Sequence, residues 1–298
     1  MIYGLIEVKP KINKKKIIIT ILIAVVIITA IGFAVFYHIN KDKFKNMSAQ
    51  INTVPEEKVA SDEHTKNEKS KHIAKVNFNP VYTEVGKDLR NNIYHSEEKV
   101  AYLTFDDGPS KTVTPLLLDL LKQENIKATF FVLGARADLN PEILKREYRE
   151  GHFIANHGYS HIYGSIYATP EAVLEEYNKT KETISRILET DYDGHLFRFP
   201  GGSTGGKYKQ IKKDAKVLLD ENNIAYIDWN SLSSDAAGAK TKEAIIENTK
   251  QTVENKNSVV ILMHDAGDKI LTYEALPEII AYLREQGYTF KNFYSIIK

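Results

Sequence analysis

The sequence predicts an α/β fold, a distorted (β/α) barrel of about seven strands, preceded by one N-terminal transmembrane helix and a polar linker. Three observations carry that prediction. From Lys99 onward, short apolar runs alternate with longer amphipathic stretches, and strands separated by helices imply a largely parallel sheet. About seven such units suggest a sheet closed, or nearly closed, on itself. Ahead of that region, Ile17 to Phe36 carries no charge, and the stretch that follows is polar.

The chain opens with a basic tail, residues 1–16, that includes Lys9, Lys11, Lys14, Lys15 and Lys16. The apolar run "IIITILIAVVIITAIGFAVF" has the length that crosses a hydrocarbon core of about 30 Å as a helix. Lysines before a span stay cytoplasmic, so this anchor, assigned to residues 17–37, sends the rest of the chain outside the cell membrane. The competing reading is a cleaved signal peptide, whose apolar core is shorter and ends in small residues. Here the run ends Phe36-Tyr37-His38. Residues 38–95 are expected to be an extracytoplasmic linker with a small ordered element around Val76–Val85. Its segment "EEKVASDEHTKNEKSKH" follows neither a strand nor a helix period. As a flexible coil it would hold the following domain about 30–35 Å from the membrane.

Residues 96–298 contain the predicted strands "KVAYLTF", "ATFFVLG", "HFIAN", "HLFRFP", "IAYIDWN", "SVVILMH" and "YTFKNF". Each is short and rich in β-branched or aromatic residues, as buried strands are. Between them, Asn140-Pro141-Glu142 and Thr169-Pro170-Glu171 read as a capping residue followed by proline at the first helical position. Gly151 and Gly287 read as helix ends. A net charge of +1 leaves no field aimed at nucleic acid. The chain has no cysteine, so disulfides and thiolate metal sites are excluded and a metal must be held by His, Asp or Glu.

The polar residues that stand out fall at the ends of predicted strands, where barrels of this kind carry their chemistry. Asp106 and Asp107 end the first strand in "YLTFDDGPSK". Two adjacent anions, if buried, need a cation, a proton or a strong donor; the alternative is a solvated turn, for which Asp, Gly and Pro are ordinary residues. His157 follows "FIAN", Arg198 lies in "LFRFPGG", and His264 closes "VVILMH". In "HGYSH", His157 and His161 are four residues apart, a spacing that lets both reach one ion if that segment is helical. A histidine pair alone is as readily structural. A third, anionic ligand from a neighbouring strand end would make a site with positions open to water and substrate. One of the two aspartates would supply it.

"TFDDG" at 104–108, "HGYSH" at 157–161, "RFPGG" at 198–202 and "LMH" at 262–264 resemble, in order, the motifs of the polysaccharide deacetylases of the NodB-homology type, carbohydrate esterase family 4. The likeness spans about residues 97–295. It implies a divalent metal, zinc or alternatively cobalt, held by Asp107, His157 and His161. It implies Asp106 as general base steadied by Arg198, His264 as general acid, and the backbone N–H of Gly201 as oxyanion donor. Some positions depart from the family pattern. Gly158 stands where Ser or Thr is common, and Gly201 replaces an aromatic. The fourth motif aligns best at "LSSDA", giving Asp235 as the partner of His264 with Ala236 in place of an aromatic; Asp228-Trp229 is the rival placement. Trp229 itself reads as a core or groove wall. The two missing aromatics predict a wide, weakly binding sugar site.

The resemblance implies hydrolysis of acetyl groups from an N-acetylated polysaccharide. An anchored, extracytoplasmic position favours N-acetylglucosamine of the peptidoglycan cell wall, with chitin oligomers, xylan or another surface glycan as alternatives. A catalytically silent wall-binding module on the same fold is the alternative of another class, and it would have lost base, acid or a ligand. The expected partners are that polysaccharide and, through the N-terminal helix, the membrane; the expected state is a monomer. No H-E-x-x-H occurs, against a zinc protease.

Overall fold

A computed structural model describes residues 93–297. The basic tail, the anchor and the linker as far as residue 92 lie outside the described residues. Among the described ones, no helix is long and apolar enough to cross a membrane.

The elements alternate as the sequence predicts. They are β1 (Val100–Asp106), α1 (Thr114–Gln123), β2 (Thr129–Val132), α2 (Gly134–Leu139), α3 (Pro141–Arg149), β3 (Phe153–Asn156), α4 (Tyr163–Ile166), α5 (Pro170–Leu188) and β4 (Leu196–Phe197). Then come α6 (Lys209–Glu221), β5 (Ala225–Tyr226), β6 (Ser231–Leu232), α7 (Lys242–Val253), β7 (Ser258–His264), α8 (Ile270–Glu285), β8 (Thr289–Phe290) and a final 3-10 turn (Phe293–Ser295). Thr169 caps α5, its Oγ1 accepting from Ala172 N at 3.2 Å. Asn140 precedes α3 without capping it, because its Nδ2 is turned to the carbonyls of Pro109 and Arg136. Gly151 and Gly287 follow α3 and α8 with φ of 80° and 84°, a conformation that glycine enters without strain.

All pairings among the described strands are parallel. The order is β5-β4-β3-β2-β1-β7-β6, with β8 added against the first residues of β1. No pairing joins β5 to β6 among the described residues, so the sheet is a curled half-barrel and not a closed one. The sequence reading also missed β6: "SL", among serines and an asparagine, has no apolar run to announce it.

Strand alternation sorts the core into two sides. Ala101, Leu103 and Phe105 of β1, with Val259, Ile261 and Met263 of β7, face outward and pack under α1, α7 and α8. Val100 and Tyr102, with Phe131, Phe153, Ala155, Leu196 and Val260, face into the barrel. Phe293 closes the lower end, its ring 5.5 Å from Tyr102 and 6.0 Å from Phe153. Each buried Val, Leu, Ile, Phe or Met among these contributes about 1.5–3 kcal/mol relative to leaving it in water. With apolar residues filling the lower barrel, the upper end is left to polar ones.

Candidate active site

Two-residue periodicity carries the inward side of each strand up to a polar end. On β1, Val100 and Tyr102 are followed on the same side by Thr104 and Asp106; on β7, Val260 is followed by Leu262 and His264. Asp106 and His264 are direct partners in the β1–β7 register. By the same count His157 continues the inward side of β3 and Arg198 that of β4. Asp265 N donates to the Asp106 carbonyl at 3.0 Å, which ties the two strand ends together.

Asp107, His157 and His161 bring one ligand atom each to within 4.8 Å of one another. Asp107 Oδ1 lies 3.6 Å from His157 Nε2 and 3.4 Å from His161 Nε2. That oxygen is buried and has no hydrogen-bond partner, an arrangement that costs free energy unless a cation satisfies it. His157 Nδ1 donates to the Arg198 carbonyl at 2.8 Å, leaving Nε2 as a lone-pair donor toward the other two groups. Burial lowers the His157 pKa to about 3, so the ring stays neutral, as a metal ligand must. The donor set therefore fits a divalent ion of the kind imidazole and carboxylate bind.

The segment carrying the two histidines is not helical, contrary to the spacing argument. It is an irregular bend in which His161 has a φ of 57°. Glu176 of α5 shapes it: Oε2 accepts from Tyr159 N at 2.6 Å and from Ser160 N at 2.7 Å, and Oε1 accepts from Ser160 Oγ at 2.7 Å. Gly158, with a φ of 82°, faces that carboxylate, and a Cβ there would stand 3.0 Å from Ile166 Cδ1. Sequence reasoning missed Glu176 because an acidic residue on an amphipathic helix looks like any solvated one.

Arg198 is fully buried. Nη1 donates to Asp106 Oδ1 and to Thr104 Oγ1, each at 2.8 Å, while Nε and Nη2 reach the carbonyls of Ile227 and Asp228. Its guanidinium carbon stands 3.8 Å from the Phe131 ring centroid. Burial raises the Asp106 pKa, and the charge and hydrogen bond of Arg198 oppose it. Arg198→Met should therefore leave a buried carboxylate without its cation and cost about 3–5 kcal/mol of unfolding free energy. Urea denaturation measures it, and an unchanged midpoint would mean that the pair adds nothing to the fold.

His264 Nδ1 hydrogen-bonds Asp235 Oδ1 at 2.8 Å, and His264 N donates to Asp235 Oδ2 at 2.8 Å. Thr272 Oγ1 donates to the same Oδ2, so the carboxylate is held from two elements. Burial works to lower the His264 pKa, but the hydrogen bond and charge of Asp235 outweigh it, aided by Asp106 and Asp107, and raise it to about 9. The rival aspartate lies elsewhere: Asp228 accepts from Ser203 N and Oγ. Trp229 is half-buried against the barrel interior, with Arg198 5.9 Å from its ring.

Gly201 is exposed, with a φ of 71°, and its N–H makes no backbone bond among the described residues. The room above it is not open, because a Cβ there would meet the Tyr163 hydroxyl at 2.5 Å. Ala236 is exposed. Asp265, also unforeseen, is buried with Oδ2 bound to Thr114 Oγ1 at 2.6 Å, and burial lifts its pKa to about 7.

Residues 94–218 match the polysaccharide deacetylase family. A peptidoglycan-N-acetylglucosamine deacetylase of Bacillus cereus is 35% identical over 218 residues, 71% of this chain and 75% of that one. The Bacillus subtilis protein YheN is 38% identical over 197 residues, 65% of this chain and 66% of that one. Among solved structures, a Streptococcus mutans CE4 esterase superposes with a TM-score of 0.63 at 29% identity, over 71% of this chain and 92% of that one.

Proposed function

The chain belongs to the NodB-homology polysaccharide deacetylases of carbohydrate esterase family 4, and from that premise we propose that it removes acetyl groups from N-acetylglucosamine of peptidoglycan. One observation carries the reading. Around the Asp107, His157 and His161 group stand an aspartate held by arginine and a histidine held by aspartate. A silent wall-binding module would need none of these pairs.

The reaction is hydrolysis of an amide to a free amine and acetate. Asp107, His157 and His161 would hold a divalent ion, zinc or alternatively cobalt, which would supply Lewis acidity to the acyl oxygen and to water. Arg198 occupies Oδ1 of Asp106, which leaves Oδ2, 3.8 Å from His157 Nε2, to take the proton of the attacking water. The Gly201 N–H holds the developing oxyanion. His264, with Nδ1 committed to Asp235, gives a proton from Nε2 to the departing nitrogen.

An acid histidine works only while protonated, so activity should persist below its pKa of about 9 and fall as pH rises through it. Without the Asp235 charge, burial pulls that pKa down. Asp235→Asn should thus move the alkaline limb of kcat/KM to lower pH by about one unit or more. An unchanged limb would remove this pair from the proton transfer.

The lysines ahead of the apolar run at 17–36 support an anchored enzyme whose catalytic domain faces the wall. Protease treatment of intact cells tests that, since a domain outside must be cleaved. The substrate is tested by mass spectrometry of peptidoglycan fragments, chitin oligomers and acetylated xylan incubated with the chain. Exchange of acetyl for hydrogen on the glucosamine of the wall fragments is expected; reaction on chitin or xylan alone would reassign the polymer.

A further inference from the structure

We propose that Tyr163 is the aromatic platform for the acetylated sugar beside the Asp107, His157 and His161 group, supplied from α4 in place of a side chain at position 201. The proposal rests on the deacetylase reading above for the class of ligand, an N-acetylated pyranose.

Three features converge on Tyr163. It lies two residues beyond His161, with ring centroids 5.5 Å apart, so its ring borders a candidate ligand of the metal. Its hydroxyl end fills the space above Gly201: a Cβ built there would lie 2.5 Å from the oxygen and 3.2 Å from Cζ. And it is 41% exposed, one of five large hydrophobic side chains exposed among the described residues.

The ring is also pre-positioned. Tyr167, its ring 5.8 Å away at an interplanar angle of 66°, donates its hydroxyl to the Pro200 carbonyl at 2.7 Å. The α4 turn is thereby pinned to the loop that presents the Gly201 N–H. Tyr167 packs in turn on Tyr208 at 5.3 Å. One edge of Tyr163 is thus fixed by protein while the rest faces solvent, and its hydroxyl makes no internal hydrogen bond among the described residues. An exposed ring with a free hydroxyl offers an apolar face to sugar C–H groups and a polar handle to their hydroxyls or amide, at little entropic cost.

The arrangement explains glycine at 201. A side chain there is opposed by a φ of 71° and by Tyr163 itself. The wide, weakly binding site expected from the missing aromatic is narrowed by a ring from another element.

The test uses the full chain, N-acetylglucosamine oligomers of increasing length, steady-state kinetics and equilibrium binding by calorimetry. Tyr163→Ala should raise KM and Kd about tenfold, the scale of one aromatic contact, with kcat and metal content little changed. Tyr163→Phe should keep most of the affinity, and Tyr163→Trp should restore it. Unchanged KM and Kd in Tyr163→Ala would overturn the proposal, as would a loss of metal that accounts for the effect. Wild-type chain that binds the oligomers and hydrolyses neither them nor peptidoglycan fragments would defeat the deacetylase reading while Kd still decides the role of Tyr163. Wild-type chain that binds none of them overturns the platform as well.

Discussion

Replacing Asp106 with asparagine should lower kcat by about 10²–10⁴, the range over which a positioned general base acts, while metal content stays the same. The two adjacent carboxylates stand in different surroundings. Asp106 spends one oxygen on Arg198 at 2.8 Å and lies on the inward side of β1, whereas Asp107 turns its unpartnered Oδ1 to the two histidines. Asparagine keeps the shape and an oxygen for Arg198, which also retains Thr104 and the carbonyls of Ile227 and Asp228. The variant should therefore fold, and its loss should lie in kcat. Metal analysis beside the kinetics decides the matter: a metal-free Asp106→Asn protein would mean that the two aspartates have exchanged roles.

Removing the metal should abolish activity altogether, and zinc or cobalt should restore it. Among the described residues three side chains, Asp107, His157 and His161, bring a ligand atom to the site, so a strong chelator can compete. Asp107→Ala should prevent restoration, because it deletes the one anionic ligand. A second readout is independent of turnover. An ion that binds the folded chain alone stabilises it by about 4 kcal/mol at a thousandfold excess over Kd, so the chelated protein should melt at a lower temperature than the loaded one. Full activity in a verified metal-free sample would sink this mechanism.

The sequence determined the strand and helix alternation, because apolar runs short enough for buried strands recur between capped amphipathic stretches. It determined the candidate groups as well. Asp106, Asp107, His157, Arg198 and His264 all stand at or just beyond strand ends, and a two-residue period tells which of them point inward. Asp235 was legible only as the better of two alignments; its bonds to the backbone N and to Nδ1 of His264 separate it from Asp228.

What the tertiary structure decided are contacts between elements with no common period. Helical spacing suggested how His157 and His161 meet, but a bend held by Glu176, fifteen residues beyond His161, brings them together. The absence of an aromatic at 201 suggested an open site, but the ring of Tyr163, from α4, occupies that space. Closure of the sheet was equally invisible, since it depends on ladders between β5 and β6 and not on the apolar content of either. Local pattern sets which way a side chain points along its own strand or helix. Which side chain from elsewhere meets it depends on how helices, strands and loops pack in three dimensions, and no spacing within a single element encodes that.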